Sequence, residues 1–452
     1  MRMMALKGSL RDYRELPGTD LIARADAFFA WQDLRRQFDL WPYAKSTASA
    51  PRTTCLANTD SGKKLSGVNF ASQDYLSLAS HPSIKQVAIE AIEEYGVHSA
   101  GSAALLGNSR HSIKLEKTIS TFLRGKEVVL YPTGWSAGFA SVQGFVRPND
   151  HVVMDVLAHS CLQEGARAAT RNIHFHGHLN VDALQRRLRK IRTSDKSNAI
   201  LVVTESLFSM HSDTPDIRAL REICKAYDAL LLVDCAHDLG AIGEDGLGHL
   251  GLQNTLGDVD IVIGSFSKTF ASNGGFVAVN TRAAAEYLKY YSATQTFSNA
   301  LSPVQAATVQ RAFEIVASDE GRERRRRLMS NILLMRSEMA RVDLEVLGDP
   351  SAIVPVRVGA EGLARIASQK LSDLGAIANL VEYPAVPRGG ARFRVQVMAD
   401  HQPAEIATLV QAMFEAMRSA DAEFRTYREA EAAAQSGAGM DRDEAEADIM
   451  AA

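Results

Sequence analysis

From about residue 69 onward, short and nearly unbroken apolar runs alternate with longer stretches whose apolar residues recur at helical spacing. The runs are VVLY near Leu130, HVVMD ending at Asp155, AILVVTE ending at Glu205, LLLVD ending at Asp234, DIVIG ending at Gly264 and GFVAV near Val277. Strands that are apolar on both faces and separated by helices predict an α/β fold, with a mostly parallel sheet covered on both sides. Ligands of such sheets bind beyond the carboxyl ends of the strands. Asp155, Glu205, Asp234 and Gly264 stand at or just past four of those ends, so the polar residues that follow them should converge. Upstream, residues 21–40 (LIARADAFFAWQDLRRQFDL) show helical spacing, and residues 46–58, rich in Ser, Thr, Ala and Pro, read as a linker. After Ser302 a basic helix (EGRERRRRLM) precedes a smaller α/β unit that ends in ARFRVQV. From Ser419 the chain is rich in Ala and Glu and turns acidic (DRDEAEAD), which predicts a fraying helix and then disorder. The expected organisation is an N-terminal helical arm and linker (1–67), a large domain (68–303), a smaller C-terminal domain (304–418) and a tail (419–452).

Composition narrows the classes without choosing among them. A chain of 452 residues with 46% hydrophobic and 23% charged residues builds a large core. A formal charge of −3 gives no footprint for nucleic acid. Cys55, Cys161, Cys224 and Cys235 form no CxxC pair, so a reducing cytoplasm is expected rather than a disulfide framework. The opening MRMMALKGSLRDYREL lacks a continuous apolar run, so no secretory signal is expected, and no stretch reaches the ~18 apolar residues of a membrane span. The arginine run at 322 and 324–327 reads as a solvated helix face, with an acidic carrier as the other reading.

The candidate chemistry lies after the apolar runs. Lys268 sits in SFSKTF directly after DIVIG, while Asp234 ends the preceding run and is followed by His237. A lysine amine for a Schiff base, and a carboxylate that keeps a pyridine nitrogen protonated, are what pyridoxal phosphate chemistry requires. On this reading Asp234 pairs with the ring nitrogen, His237 reaches the ring hydroxyl, and Ser265 with its serine neighbours faces the phosphate. For Asp234 the structural alternative is a helix cap, and for His237 a surface imidazole. His159, in DVLAHSCLQEG, either stacks on a flat cofactor or caps the next helix. Thr133, Gly134 and Trp135 lie in VVLYPTGWSAG, a strand, turn and helix start that suits a phosphate, although Trp135 also fits a core. The stretch YGVHSAGSAALLGNS (95–109) reads equally as a ligand-approaching loop or as an ordinary connection.

These motifs, in the order NFASQDYLSLASHP, GSAALLG, TGW, DVLAHSCLQEG, TESLFSMHSD, VDCAHDLGAIGEDGLG, GSFSKTFASNGG and TFSNALSP, resemble the α-oxoamine synthases, which are fold-type I pyridoxal phosphate enzymes. The resemblance spans roughly residues 21–417. It implies a homodimer with shared sites and a decarboxylative condensation of an α-amino acid with an acyl thioester of CoA or of acyl carrier protein. Another fold-type I reaction, such as transamination, is the alternative. It further implies that Lys268 carries the cofactor and later serves as base, that Ser209 contacts the cofactor oxygen, and that Ser298 reaches the neighbouring subunit's phosphate. Arg394, in ARFRVQV, would grip the substrate carboxylate, and Gln73 stands where many members have Asn. No metal is implied. The pattern departs from the family at His211 and Ser212, and at Glu382, where the palmitoyltransferase and aminooxononanoate forms place a mobile arginine. Ala103, Ala104, Leu105 and Leu106 suit an apolar acyl chain or a core equally.

Overall fold

The structure, a computed structural model, describes residues 1–433 in full and the backbone course of residues 434–450. Its strands are β1 (Ser46–Thr47), β2 (Thr54–Asn58), β3 (Lys64–Asn69), β4 (Glu127–Tyr131), β5 (His151–Asp155), β6 (Asn172–His176) and β7 (Ile200–Glu205). They continue with β8 (Leu230–Asp234), β9 (Ile261–Ser265), β10 (Gly275–Val279), β11 (Ile353–Gly359), β12 (Ala376–Ile377), β13 (Asn379–Val381) and β14 (Ala391–Gln396). The helix Pro403–Met450 closes the chain. The disorder expected at the end of the tail falls on residues outside the full description.

Seven strands form the central sheet in the order β4-β10-β9-β8-β7-β5-β6. β10 runs antiparallel to both of its neighbours, and the other pairs are parallel. Each apolar run predicted as a strand is one of these. Successive residues feed opposite faces, as the pleat demands. Val152 and Met154 of β5 join one core, with helices Gly134–Gln143 and Ser160–Ala169, while Val153 joins the other. β6 was not foreseen. It is an edge strand of sequence NIHFH that pairs only with β5, so it needs no continuous apolar run.

The predicted linker at 46–58 is corrected to strand. β1 and β2 pair with each other, and β2 pairs with β3. Cys55 and Ala57 are buried against Leu65 and Ile377, whereas Leu56 faces solvent. Small residues inside and a leucine outside hid the two-residue period. β3 also pairs in parallel with β12, which joins this N-terminal sheet to the C-terminal third of the chain. The predicted N-terminal helix is Ala25–Gln37.

The arginine run lies on helix Asp319–Arg341 and is only partly solvated. Arg325 is buried and donates to the carbonyls of Val316 and Glu244, at 2.7 Å each. Arg324 and Arg327 reach Asp400, while Arg322 and Arg326 pair with acids one turn back on their own helix. Arg326 and Arg327 keep the expected exposed face, while Arg325 and Arg324 are drawn into the fold. Among the described residues no helix is long and apolar enough to cross a membrane.

Candidate active site

The carboxyl ends of β4, β8 and β9 and the residues just beyond them surround a cavity of about 280 Å³. Another cavity, of about 360 Å³, lies at the opposite, amino ends of the strands and is walled largely by apolar side chains such as Ile200, Leu230 and Ile261. The titratable groups converge on the first. β8 delivers Asp234 and then His237, β9 delivers Ser265 and then Lys268, and the turn after β5 delivers His159. Thr133, Gly134 and Trp135 come from the turn after β4.

Asp234 caps no helix: a turn follows it, and its Oδ1 accepts from the N–H of Ala236 at 2.9 Å. Two other residues do satisfy a structural role. His159 is the N-cap of helix Ser160–Ala169, its Nδ1 accepting from the N–H of Cys161 at 3.3 Å. Capping fixes the imidazole at the mouth of the cavity, so the two readings are compatible. Thr133 caps helix Gly134–Gln143 through Ser136 N–H. The first N–H groups of that helix have no intrahelical partner and remain donors. At Gly134 an added Cβ would stand 2.4 Å from Ser265 Oγ, so only glycine allows the helix start to approach β9 this closely.

Burial lowers the Lys268 pKa, with nearby Asp234 opposing, so more of the amine is neutral and nucleophilic than in water. Burial likewise raises the Asp234 carboxyl, while His159 and Lys268 pull it back. Glu205, directly across the β7–β8 register from Asp234, is pushed well above its ordinary value by burial and then by Asp234. Two buried carboxyls side by side do not both ionise easily, and a cationic partner for Asp234 relieves the conflict.

Arg394, on β14, is buried, and its Nε donates to the Ser209 carbonyl at 2.8 Å. Its Nη2 is buried without a partner. Loss of such a charge-assisted bond is costly, so this atom is built for an incoming acceptor. Ser209 thus meets Arg394 through its backbone, and its side chain is not in the cavity wall. Gln73 and Ser298, both half-buried, also lie outside the wall of this single chain. Leu105 and Leu106 are 86% and 92% exposed, which excludes the core reading for them. Glu382 is far from any substrate role: it is buried between Arg35 and Arg365.

Sequence reasoning included Ser267 among the serines facing the phosphate, and it lines the cavity, but it missed Cys161, Asn273 and Tyr75. The first two of these also line the cavity. Their signal was proximity, since each stands within five residues of His159 or Lys268. Tyr75 hydrogen-bonds His237 from 162 positions away, and no local pattern announces that contact.

Residues 66–413 match the family model of the class I and II aminotransferases. A putative 8-amino-7-oxononanoate synthase of Acaryochloris marina is 32% identical over 387 residues, which are 83% of this chain and 94% of the relative. The 8-amino-7-oxononanoate synthase of Pectobacterium atrosepticum is 32% identical over 351 residues, covering 78% of this chain and 89% of the relative. A serine palmitoyltransferase from S. paucimobilis, solved with a bound PLP–myriocin aldimine, superposes with a TM-score of 0.83 at 25% identity, over 89% of this chain and 100% of that one. The chain belongs to the class I and II aminotransferase family, in its α-oxoamine synthase branch. Pyridoxal phosphate is the cofactor of this synthase. The cavity fits it: a buried lysine, a carboxyl at the far end for a pyridine nitrogen, and a glycine-floored helix N-terminus with Ser265 for a phosphate.

Proposed function

We propose that this synthase joins the α-carbon of an amino acid to the acyl group of a thioester, releasing carbon dioxide and the free thiol and leaving an α-aminoketone. The observation that carries the reading is the unpartnered Arg394 Nη2: the residue stands outside the cavity wall, yet its charge bears on Lys268 and His159, which line the cavity with Asp234. An aminotransferase also needs a carboxylate grip, and the synthase relatives, matched along 94% and 89% of their own lengths, favour condensation.

Arg394 holds the substrate carboxylate and so orients the bonds at Cα. Lys268 would tether the cofactor, and its amine, kept more neutral by burial, would take the α-proton. Asp234 would pair with the pyridine nitrogen, His159 would cover the ring and His237 would bond its phenolic oxygen. Thr133, Gly134, Trp135 and Ser265 would hold the phosphate, and Ser209 would support the ring oxygen side through its loop. Pyridoxal phosphate, when bound, supplies the electron sink for the pair left at Cα. Overall, the Cα–H, thioester C–S and Cα–carboxyl bonds break and one C–C and one C–H bond form; the proton held by Lys268 returns to Cα, and the departing thiolate takes its proton from solvent.

The loops that carry Leu105, Leu106 and Phe297 support a homodimer. Phe297 is 88% exposed, and the two loops are tied together through Ser102 Oγ to the Thr296 carbonyl at 2.7 Å. Large apolar side chains held rigidly in solvent favour a covering partner, and Ser298 beside them would then serve the second site. An apolar acyl chain and a cytosolic location complete the reading. The four cysteines are buried and free, in keeping with that location.

The test is cofactor spectroscopy with Arg394→Gln. In the wild-type holoprotein an amino acid should perturb the cofactor band at far lower concentration than the matching amine that lacks a carboxylate. In the variant the preference should shrink by roughly 10- to 100-fold, the value of one charge-assisted hydrogen bond. An unchanged preference would remove Arg394 from the substrate site.

A further inference from the structure

Tyr75 carries a hydroxyl that nothing above employs. It is fully buried (0% exposed), on the segment after β3, and its Oη lies 3.0 Å from His237 Nδ1. Burial raises the phenol's pKa, with Arg394 opposing, so the hydroxyl keeps its proton. Burial also holds the His237 imidazolium well below its ordinary value, and the charges of Lys268, Arg394 and His159 press the same way. A neutral imidazole has one N–H and one acceptor nitrogen.

Two arrangements are conceivable. If Nδ1 carried the proton, it would donate to Tyr75, whose own hydrogen would then need an acceptor. Asp238, the carboxylate whose charge bears on the phenol, is already engaged by Ser206 Oγ at 2.7 Å, by His249 N–H at 2.8 Å and by His249 Nδ1 at 2.9 Å. If the hydroxyl donates to Nδ1, the fully buried phenol places its hydrogen, and the imidazole proton stands on Nε2, on a ring that lines the cavity and can meet a ligand there. The hydrogen-bond inventory favours the second arrangement.

We propose that Tyr75 is a positioning residue that fixes His237 in its Nε2–H tautomer, so that His237 donates a hydrogen bond toward the phenolic oxygen of pyridoxal phosphate. This rests on the assignment of His237 to that oxygen. An imidazole in the other tautomer would present a lone pair to an oxygen lone pair. A fixed donor lowers the basicity of the oxygen and so lowers the pH at which the bound cofactor's visible band converts.

The experiment is a pH titration of that band in purified holoprotein, for wild type, Tyr75→Phe, His237→Asn and the double variant. The expected result is that each single variant raises the midpoint by roughly one unit, a tenfold change in proton affinity. The double variant should shift no further than His237→Asn alone, because Tyr75 acts only through His237. If His237→Asn raises the midpoint and Tyr75→Phe does not, the role of Tyr75 is overturned and that of His237 stands. If His237→Asn leaves the midpoint unchanged, the His237 assignment itself fails, and the Tyr75 role with it. Additive shifts in the double variant would also overturn the proposal. Should Tyr75→Phe not fold, 15N shifts of histidine-labelled wild-type holoprotein decide the tautomer. A His237 protonated at Nε2 supports the proposal, and one protonated at Nδ1 overturns it.

Discussion

Replacing Glu382 by glutamine should destabilise the protein without touching its chemistry. The Glu382 carboxylate meets Arg365 Nε at 2.8 Å, Arg35 Nη1 at 3.5 Å and the Tyr43 hydroxyl at 3.1 Å. All three charged side chains are 0–1% exposed. The two guanidiniums also hold the start of the chain. Arg365 donates to the carbonyls of Leu6 and Gly8, and Arg35 to those of Ala5, Lys7 and Gly8. Burial, and then the like charge of Arg365, push the Arg35 pKa down to about 10, so this cation already sits uneasily. Glutamine keeps the shape and one acceptor, but it turns an N–H₂ toward a cation and removes the only carboxylate that pairs with either guanidinium among the described residues. Breaking a buried ion pair from one side costs about 3–5 kcal/mol. An unfolding entropy of about 2.1 cal/mol/K per residue over 452 residues gives roughly 0.9 kcal/mol/K, so the melting temperature should fall by about 3–5 °C. Differential scanning calorimetry reads this directly, and amide exchange over residues 5–9 should quicken. Glu382 is not in the cavity wall, so pyridoxal phosphate affinity should not change. A melting temperature within about 1 °C of wild type, or a loss of cofactor affinity at unchanged stability, would refute the reasoning.

Other sites give sharp expectations. In Gly134→Ala the new Cβ would press on Ser265 Oγ at 2.4 Å. Overpacking of about 1–3 kcal/mol at the phosphate cradle should weaken pyridoxal phosphate binding by roughly 5- to 150-fold in equilibrium dialysis of the apoprotein; unchanged affinity would move the phosphate elsewhere. His178 bridges Asp155 at 2.9 Å and Asp213 at 3.0 Å, and although burial opposes it these carboxylates raise its pKa to about 9. Because that lies above the unfolded value of about 6.5, its stabilisation is complete below about pH 6.5 and is lost as the pH rises through 9. The full shift sets a ceiling of about 3 kcal/mol, which solvent screening of the 21% exposed ring reduces to roughly 1–2 kcal/mol. Urea midpoints at pH 7 and pH 10 should therefore differ more for wild type than for His178→Gln, and equal losses in the two proteins would contradict the bridge.

The sheet was legible because a two-sided buried strand must be a continuous apolar run, and such runs ended at Asp155, Glu205 and Asp234, where they were expected to place polar groups. Lys268, Asp234, His237 and His159 were legible for the same reason, since strand ends of one sheet share one rim. What failed to show was set by pairing rather than by pattern. β6 is polar because it has a neighbour on one side only, and β2 hides its period behind Cys55 and Ala57. The burial of Arg325 and Glu382 depends on partners more than 70 and 300 positions away, at Glu244 and Arg35. A charge run read locally looks solvated, and only the packed chain reveals which of its members serve backbone carbonyls. The bond from Arg394 to the Ser209 carbonyl was equally invisible, because backbone groups leave no trace in residue type.

The decisive measurement is product stoichiometry. Purified holoprotein would be given carboxyl-labelled amino acids in turn with a series of acyl-CoA thioesters, and free thiol and labelled carbon dioxide would be counted in the same reaction, with Lys268→Ala as the control. The account predicts, for at least one pair, one thiol and one carbon dioxide per aminoketone, both abolished in the control. Formation of a keto acid from the amino acid without thiol release would contradict condensation and leave a transaminase built on the same cavity.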